Sequence, residues 1–544
     1  MEQAVVAWWL VGECALLATL LGIVRLAFPR GGEPSTVVEV ALILLLGLAC
    51  LSATPEFVTE FWISPDSLEY VAGAQSLVES GAYALPFHDL IPRYPPWFSA
   101  WWIAPVLLGG GDLWLAILPV TCAGMVALLC GYQIGRTIGG SWGGILSALF
   151  LLLVPGFVFF SRHVLIDIPM TTLGLAGALV YLRLGATAES RRSVALLGGA
   201  IVAWATLLRP TGLAFALPLG FCLLQSRRGG IRYGPIFLVP IVAALALGLF
   251  YNKTVFGDFF RNGYHYWCAI PYDFLPLTFG LRYIQQNFTA TFVDSGLGAL
   301  LLFAGGGLLL LRRQGVSLPV PLRSYGRYLG LAGGPLVLFY LTYFFPAVRF
   351  IVPVTALVAV YLGALMGLWL ERRAVARRSG AFLLIGVIAL VLTYRISSSG
   401  GPATKGLAAR TIAAHVPSDA VVISGIDPVY LSLLVGQDRE YVPISRRVEY
   451  ASKYLTPRKL ELEPAGIAPR CDNPDPLILE HGAHRAVERV ALEDLDYFAR
   501  ALAQDRKVFI DTSRLKAGEG TPFELRFRLV ERAPQLFELT PRTP

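Results

Sequence analysis

LWLAILPVTCAGMVALLCGYQIG, residues 113–135, and FIVPVTALVAVYLGALMGLWL, residues 350–370, each run past twenty positions without an Asp, Glu, Lys or Arg. About 20 apolar residues of helix match the hydrocarbon thickness of a bilayer, and in lipid a helix satisfies its own backbone. The other solution, a closed barrel, needs alternating apolar and polar residues. These runs do not alternate. Shorter charge-free runs recur at 143–160, 168–182, 194–208, 233–252, 295–311, 328–348 and 380–394. Composition agrees: of 544 residues 55% are hydrophobic and 15% charged, and the mean hydropathy is +0.61. A soluble domain carries about 25% charged residues. The sequence therefore predicts an α-helical polytopic membrane protein.

Twelve spans are expected near 4–28, 37–54, 112–134, 143–160, 170–184, 194–208, 211–225, 233–251, 295–311, 329–345, 350–370 and 380–394. Their loops are charged unequally. One alternate set of loops holds sixteen arginines, from Arg30 to Arg378; the other holds seven basic residues, from Arg93 to Arg349. The positive-inside rule puts the richer set in the cytoplasm. The N-terminus, the first loop 55–96, the turn 161–169, the loop 252–294 and the tail then lie outside. Residues 97–110, WFSAWWIAPVLLGG, are too short to span without inverting every later loop. A helix lying in the membrane interface fits them, with Trp97, Trp101 and Trp102 at headgroup depth. The tail is charged and carries β-like runs at 421–426 and 507–511, which predicts a small outer α/β domain. The expected organisation is a transmembrane module over 1–396 and an extracytoplasmic α/β domain over 397–544.

The net charge of +8 is not a nucleic-acid signature, because the basic residues lie in short loops where they orient helices. Nor do the seven cysteines form a spacing pattern; Cys268 and Cys471 alone lie in polar surroundings. The first apolar run is too long for a cleaved signal, and no small-residue cleavage site follows it.

Polar groups concentrate in the outer loops. In the first, Ser64 and Pro65 form a helix start and Gly81 a stop, which puts Asp66 in the first helical turn with Glu69 and Tyr70 on its face. Asp66 either caps a surface helix or acts as a functional carboxylate. In the short turn 161–169, Asp167 follows Arg162 and His163 between charge-free spans. An acid there faces a cavity or a partner, or pairs with Arg162 across the turn. Arg209 and Arg349 stand at outer ends of spans, as snorkelling residues or phosphate ligands. His88, Asp89 and His163 could hold a divalent ion but lack a fixed ligand spacing, as do His481 and His484. Tyr264, His265, Tyr266 and Trp267 suit an interfacial belt or a sugar platform, and Asn252 and Asn287 stand in glycosylation sequons.

Three stretches taken together, SPDSLEYVAGAQSLVESGAY, RYPPWFSAWWIAPVLLGGGDLW and GYQIGRTIGGSWGGILSALFLLLVPGFVFFSRHVLIDIPM, resemble the GT-C superfamily of polytopic membrane glycosyltransferases. The likeness is closest to the branch of protein O-mannosyltransferases and aminoarabinose lipid A transferases. LLRPTGLAFALPL and AVRFIVPVTALVAVYLG extend it, so that it runs in order through residues 37–395. It implies inverting transfer of a sugar from a polyprenyl-phosphate donor to a lipid, polymer or protein acceptor, at the outer face of a bacterial cell membrane. Asp66 matches the first-loop acid, a catalytic base or acceptor-orienting carboxylate, and Asp167 matches the second acid. Arg93 and Tyr94 precede Pro95 and Pro96, where relatives often contact the donor phosphate; the lipid A enzymes have Lys-Pro-Pro there. With Glu69, Arg162, His163, Arg209 and Arg349, they make up the expected substrate-binding set. The span 4–28, which carries Glu13, has no counterpart in that pattern. The Trp-Trp-Asp motif of oligosaccharyltransferases does not occur, which argues against sequon-directed block transfer. A membrane transporter or lipid flippase is the competing class; such proteins place polar sites near the midplane on broken helices, often with internal repeats, and no repeat is found.

Overall fold

Glycine decides how two buried helices meet. Leu118–Leu152 and Val352–Glu371 pack so closely that a Cβ on Gly367 would fall 2.1 Å from the Gly143 Cα, and one on Gly363 would fall 2.5 Å from the Ser147 Cα. Apolar helices in lipid gain little from burial against each other, so small residues that let backbones touch supply the attraction. The Ser147 hydroxyl donates to the Val360 carbonyl across this seam at 2.9 Å. Leu118–Leu152 is itself folded back at Gly139 and Gly140, the latter with φ +64°, and its far arm approaches the near one between Gly135 and Gly143. Two antiparallel arms result, where the sequence predicts separate spans 112–134 and 143–160.

The computed structural model describes residues 2–27, 34–52, 65–85, 92–110, 113–186, 191–225, 227–267, 275–345, 347–371, 404–426, 428–436, 438–443, 495–513 and 521–542. Among the described residues, three helices are long and apolar enough to cross a membrane: Leu113–Leu152, Arg232–Phe256 and Val348–Glu371. A bent pair, Leu281–Asp294 and Leu297–Arg313, passes the same test together with a 63° break. The chain is an integral membrane protein. Helices also cover the shorter expected spans, among them Pro34–Leu51, Asp167–Ala186, Arg191–Leu208 and Val320–Thr342; the expected span 380–394 lies outside the described residues. Burial separates centre from periphery. Val352–Glu371 is enclosed on every side, whereas Arg227–Phe256 exposes Leu238, Val239, Val242 and Phe250.

Residues 97–108 are helical, and Trp97, Trp101 and Trp102 are buried within the protein. Trp101 packs edge-on against Trp204 at 5.1 Å and so tightly on Gly12 that a Cβ there would overlap its ring. Gly12 belongs to the N-terminal helix Glu2–Ala27, which thereby covers Trp101.

The tail forms a mixed sheet in the order β2-β1-β3-β5-β4, with β1 Val421–Ser424, β2 Glu440–Pro443, β3 Val508–Asp511, β4 Phe527–Ala533 and β5 Leu536–Pro541. β1 pairs in parallel with β2 and β3, while β5 runs antiparallel to β3 and β4. The helices Thr404–His415 and Pro428–Val435 share a buried cluster with this sheet through Ile412, Tyr430 and Leu431. Leu68, Ala72 and Leu85 join the same cluster, so the helix Pro65–Ser80 lies against the sheet-bearing tail on one face.

Gly367→Val should lower the unfolding temperature of the purified protein, since overpacking a close seam costs about 1–3 kcal/mol or more. Gly334→Val, on a helix face with nothing within 4 Å of a new Cβ, is the control. Equal unfolding temperatures for the two variants would contradict this account of the seam.

Candidate active site

Most charged side chains of the site stand at or beside a helix end. Pro65 opens Pro65–Ser80, whose first turn holds Asp66, and Gly81 closes it with φ +73°. The unpaired N–H groups of a helix start favour a carboxylate. Asp167 heads Asp167–Ala186 in the same manner. Arg209 has extended dihedrals, φ −156° and ψ 130°, because Pro210 excludes the helical region from the residue before it. Arg349 lies in the short 3-10 turn Val348–Ile351 that leads into Val352–Glu371, and Arg93 lies just before Pro95 and Pro96.

These ends converge into an alternating chain of buried charges. Arg93 Nη2 donates to Asp66 Oδ1 and to Glu69 Oε1, both at 3.1 Å, and its backbone N–H donates to Glu69 Oε2 at 2.8 Å. Arg349 pairs with the other Asp66 oxygen. Arg209 Nη2 pairs with Asp167 Oδ1 at 3.0 Å. Arg349 also acts on Asp167 through space, which joins the two acids. Asp167 Oδ2 is buried without a hydrogen-bond partner among the described residues. Asp167 is fully buried, Glu69 is 1% exposed and Asp66 9%. Burial alone would push the Asp66 carboxyl up; Arg349 and Arg93 together outweigh it and hold the group well below the usual carboxylate range. The like charges of Arg209 and Arg349 share the ring of Phe350, at 4.9 Å and 5.3 Å from its centroid.

Beside this chain lies a cavity of about 340 Å³. Arg93, Tyr94 and Arg209 line one part of it, and Thr206, Leu208, Ala244, Leu245, Gly248 and Leu249 another. Leu245 and Leu249 belong to the outward-facing helix Arg227–Phe256 and are themselves exposed, so this wall is continuous with the apolar exterior. Tyr264 packs edge-on against Tyr94 at 5.6 Å, and Tyr94 stacks on Tyr70 at 4.7 Å. A larger cavity of about 650 Å³, between Leu297–Arg313 and Val352–Glu371, is lined by no charged residue and shares no lining residue with the first.

Of the residues singled out in the sequence, Asp66, Glu69, Arg93, Tyr94, Asp167, Arg209 and Arg349 come together. Arg162 and His163 serve the turn instead. Arg162 Nε and Nη2 both donate to the Cys50 carbonyl, at 3.1 Å and 2.7 Å, across the end of Pro34–Leu51; Asp167 pairs with Arg209, not with its neighbour in sequence. His163 Nδ1 lies 2.8 Å from the Phe159 carbonyl, and burial pushes its pKa down to about 4, so the ring is neutral at neutral pH. Asn287 is buried, its amide donating to the Tyr340, Leu341 and Tyr343 carbonyls, which removes it as a glycosylation site. No group of three or more His, Cys, Asp or Glu side chains converges among the described residues; His88, Asp89, His481 and His484 lie outside them. Sequence reasoning missed Phe350 and the cavity wall at 244–249, whose signal is the small residues Ala243, Ala244, Ala246 and Gly248 close together on a lipid-facing helix.

The fold is similar to that of ArnT from Cupriavidus metallidurans bound to undecaprenyl phosphate, at 14% identity and a TM-score of 0.60, covering 94% of this chain and 98% of that one. The chain has a GT-C fold. The apo state of the same ArnT gives a TM-score of 0.57 at 14% identity, over 93% of this chain and 97% of that one. The family model of dolichyl-phosphate-mannose-protein mannosyltransferases matches residues 94–252, a stretch that includes Tyr94, Asp167 and Arg209. No curated protein sequence matches the chain significantly. The GT-C resemblance read from the sequence therefore holds.

In this GT-C arrangement Arg349 is the stronger of the two cations acting on Asp66. Arg349→Ala should leave burial opposed by Arg93 alone, and the Asp66 carboxyl should then titrate at higher pH. Difference infrared spectroscopy of the protonated carboxyl band, from about pH 3 to pH 7, around the ordinary carboxylate value, reads this directly against Asp66→Asn. Identical titrations in the wild type and Arg349→Ala would contradict the pairing.

Proposed function

We propose that this protein is a membrane glycosyltransferase that moves a sugar from a polyprenyl-phosphate donor to an acceptor hydroxyl at the outer face of the membrane. One observation carries the reading: a cavity whose apolar wall faces the membrane ends at Arg93 and Arg209, each paired with a buried acid. That shape suits a ligand with a hydrocarbon tail and an anionic head. ArnT, whose fold this chain shares, is described with undecaprenyl phosphate bound. The charges stand at helix ends, whereas transporter sites lie on helices broken near the midplane.

The chemistry follows from the charges. The phosphate enters between Arg93 and Arg209, and the tail lies along 244–249. The acceptor hydroxyl attacks the anomeric carbon on the face opposite the phosphate, and Asp66 takes its proton. The bond from the anomeric carbon to the phosphate oxygen breaks with its electron pair, which leaves on the polyprenyl phosphate. Attack from the opposite face inverts the centre. Arginines fixed in a water-poor site stabilise the charge that develops on the leaving oxygen. They also tune the base: once Arg93 turns its charge to the phosphate, it suppresses Asp66 less, and the carboxylate becomes a better proton acceptor. Asp167 keeps Arg209 in place. In this account the active site and the sheet-bearing tail over 397–544 lie outside a bacterial cell membrane, above a transmembrane module of twelve spans over 1–396.

Asp66→Asn should reduce transfer by about 10²- to 10⁴-fold, the usual contribution of a positioned base. Loss of its negative charge leaves the arginines in excess, so polyprenyl-phosphate binding should be kept or tightened. Near-normal turnover in the folded variant would sink the assignment of Asp66.

A further inference from the structure

Glu69 is the third acid of the cluster and the one that the proposed chemistry leaves without a step. Like Asp66 and Asp167, it stands behind the arginines and does not itself line the cavity. Both of its oxygens accept from Arg93, one from the backbone N–H at 2.8 Å and one from the guanidinium at 3.1 Å. A carboxylate that grips the main chain and the side-chain tip of one residue fixes its φ, ψ and χ angles together. The next residue is held as well, because the Tyr83 hydroxyl donates to the Tyr94 carbonyl at 2.9 Å. From the other side Gly263 closes on the same loop: a Cβ there would fall 2.1 Å from the Arg93 carbonyl oxygen and 2.8 Å from its Cα. Arg93 is thus clamped between the helix Pro65–Ser80 and the segment that carries Tyr264 into the cavity.

From this geometry we infer that Glu69 is a positioning residue: it aims the Arg93 guanidinium into the cavity, acts on an anionic ligand only through Arg93, and divides Arg93 Nη2 with Asp66. The inference rests on the donor-site reading given above. Its physical content is that orientation outweighs charge. Coulomb's law alone says that removing an anion beside a phosphate site tightens phosphate binding. A positioning residue does the reverse, because a long, freely rotating guanidinium loses more on being ordered by the ligand than the lost repulsion returns. Residues that orient a ligating group typically contribute about 10- to 100-fold to affinity or activity.

The test is a double-mutant cycle on binding of a long-chain polyprenyl phosphate to the purified full-length protein, with Glu69→Gln, Arg93→Ala and the pair. Arg93→Ala should weaken binding about tenfold or more. Glu69→Gln should weaken it by a similar factor, and in the Arg93→Ala background it should have no further effect. If Arg93→Ala binds as the wild type does, the donor-site reading fails, whatever Glu69 does. If Arg93→Ala is weak but Glu69→Gln binds normally or more tightly, or if the two losses add, the positioning role is overturned while the donor site stands. Glu69→Asp keeps the charge but shortens the reach by one methylene, and it should also bind about tenfold more weakly; normal binding by this variant would equally overturn the proposal. It serves alone if Glu69→Gln does not fold.

Discussion

Charge compensation inside a low-dielectric bundle is the constraint on which the site depends. Three carboxylates and three guanidiniums are withdrawn from water together, the acids almost wholly and the arginines in part, and removing one partner of a buried pair typically costs about 3–5 kcal/mol because it leaves its mate unpaired. Alternation resolves the difficulty: Glu69, Arg93, Asp66, Arg349, Asp167 and Arg209 follow one another so that every charge has an opposite neighbour. The residues come from five separate stretches of chain, so the chain of charges also sets how the helix ends are arranged. Both acids stand at helix starts, where backbone N–H groups supplement the arginines.

The same arrangement gives the site its directionality. Phosphate can compete for Arg93 and Arg209 because both line the cavity, whereas Arg349 stays with Asp66 behind them. On the proposed reading, an arriving phosphate redistributes this positive charge, and loss of Arg93 from Asp66 raises the basicity of that carboxylate when the acceptor attacks. The tail reinforces the frame: Leu68 and Ala72 face the sheet-bearing cluster while Asp66, Glu69 and Tyr70 face the charges, so the Pro65–Ser80 helix is fixed on two sides.

The helical membrane architecture was legible because lipid leaves a backbone so few choices: a charge-free run of about 20 residues has to be a helix. The start at Pro65, the stop at Gly81 and the shared face of Asp66, Glu69 and Tyr70 followed from local rules that tertiary packing did not override. Pairings across the chain were harder to read. Arg162 is five residues from Asp167, yet the helix end at Cys50 claims it, and Asp167 turns to Arg209, 42 positions on. Glu69 suggested a substrate contact because nothing local announces that a backbone N–H 24 positions away will occupy it. The buried tryptophans show the same limit. Nothing local announces that Trp101 will pack on Gly12 and Trp204.

The central claim is that the cavity between Arg93 and Arg209 holds a lipid-linked phosphate. Electron cryomicroscopy of the protein with a long-chain polyprenyl phosphate tests it most directly. The account predicts phosphate density at about 3 Å, hydrogen-bond distance, from both guanidiniums, with the hydrocarbon running along Ala244, Leu245 and Leu249. Phosphate density elsewhere, or a tail seated only in the uncharged cavity between Leu297–Arg313 and Val352–Glu371, would contradict it.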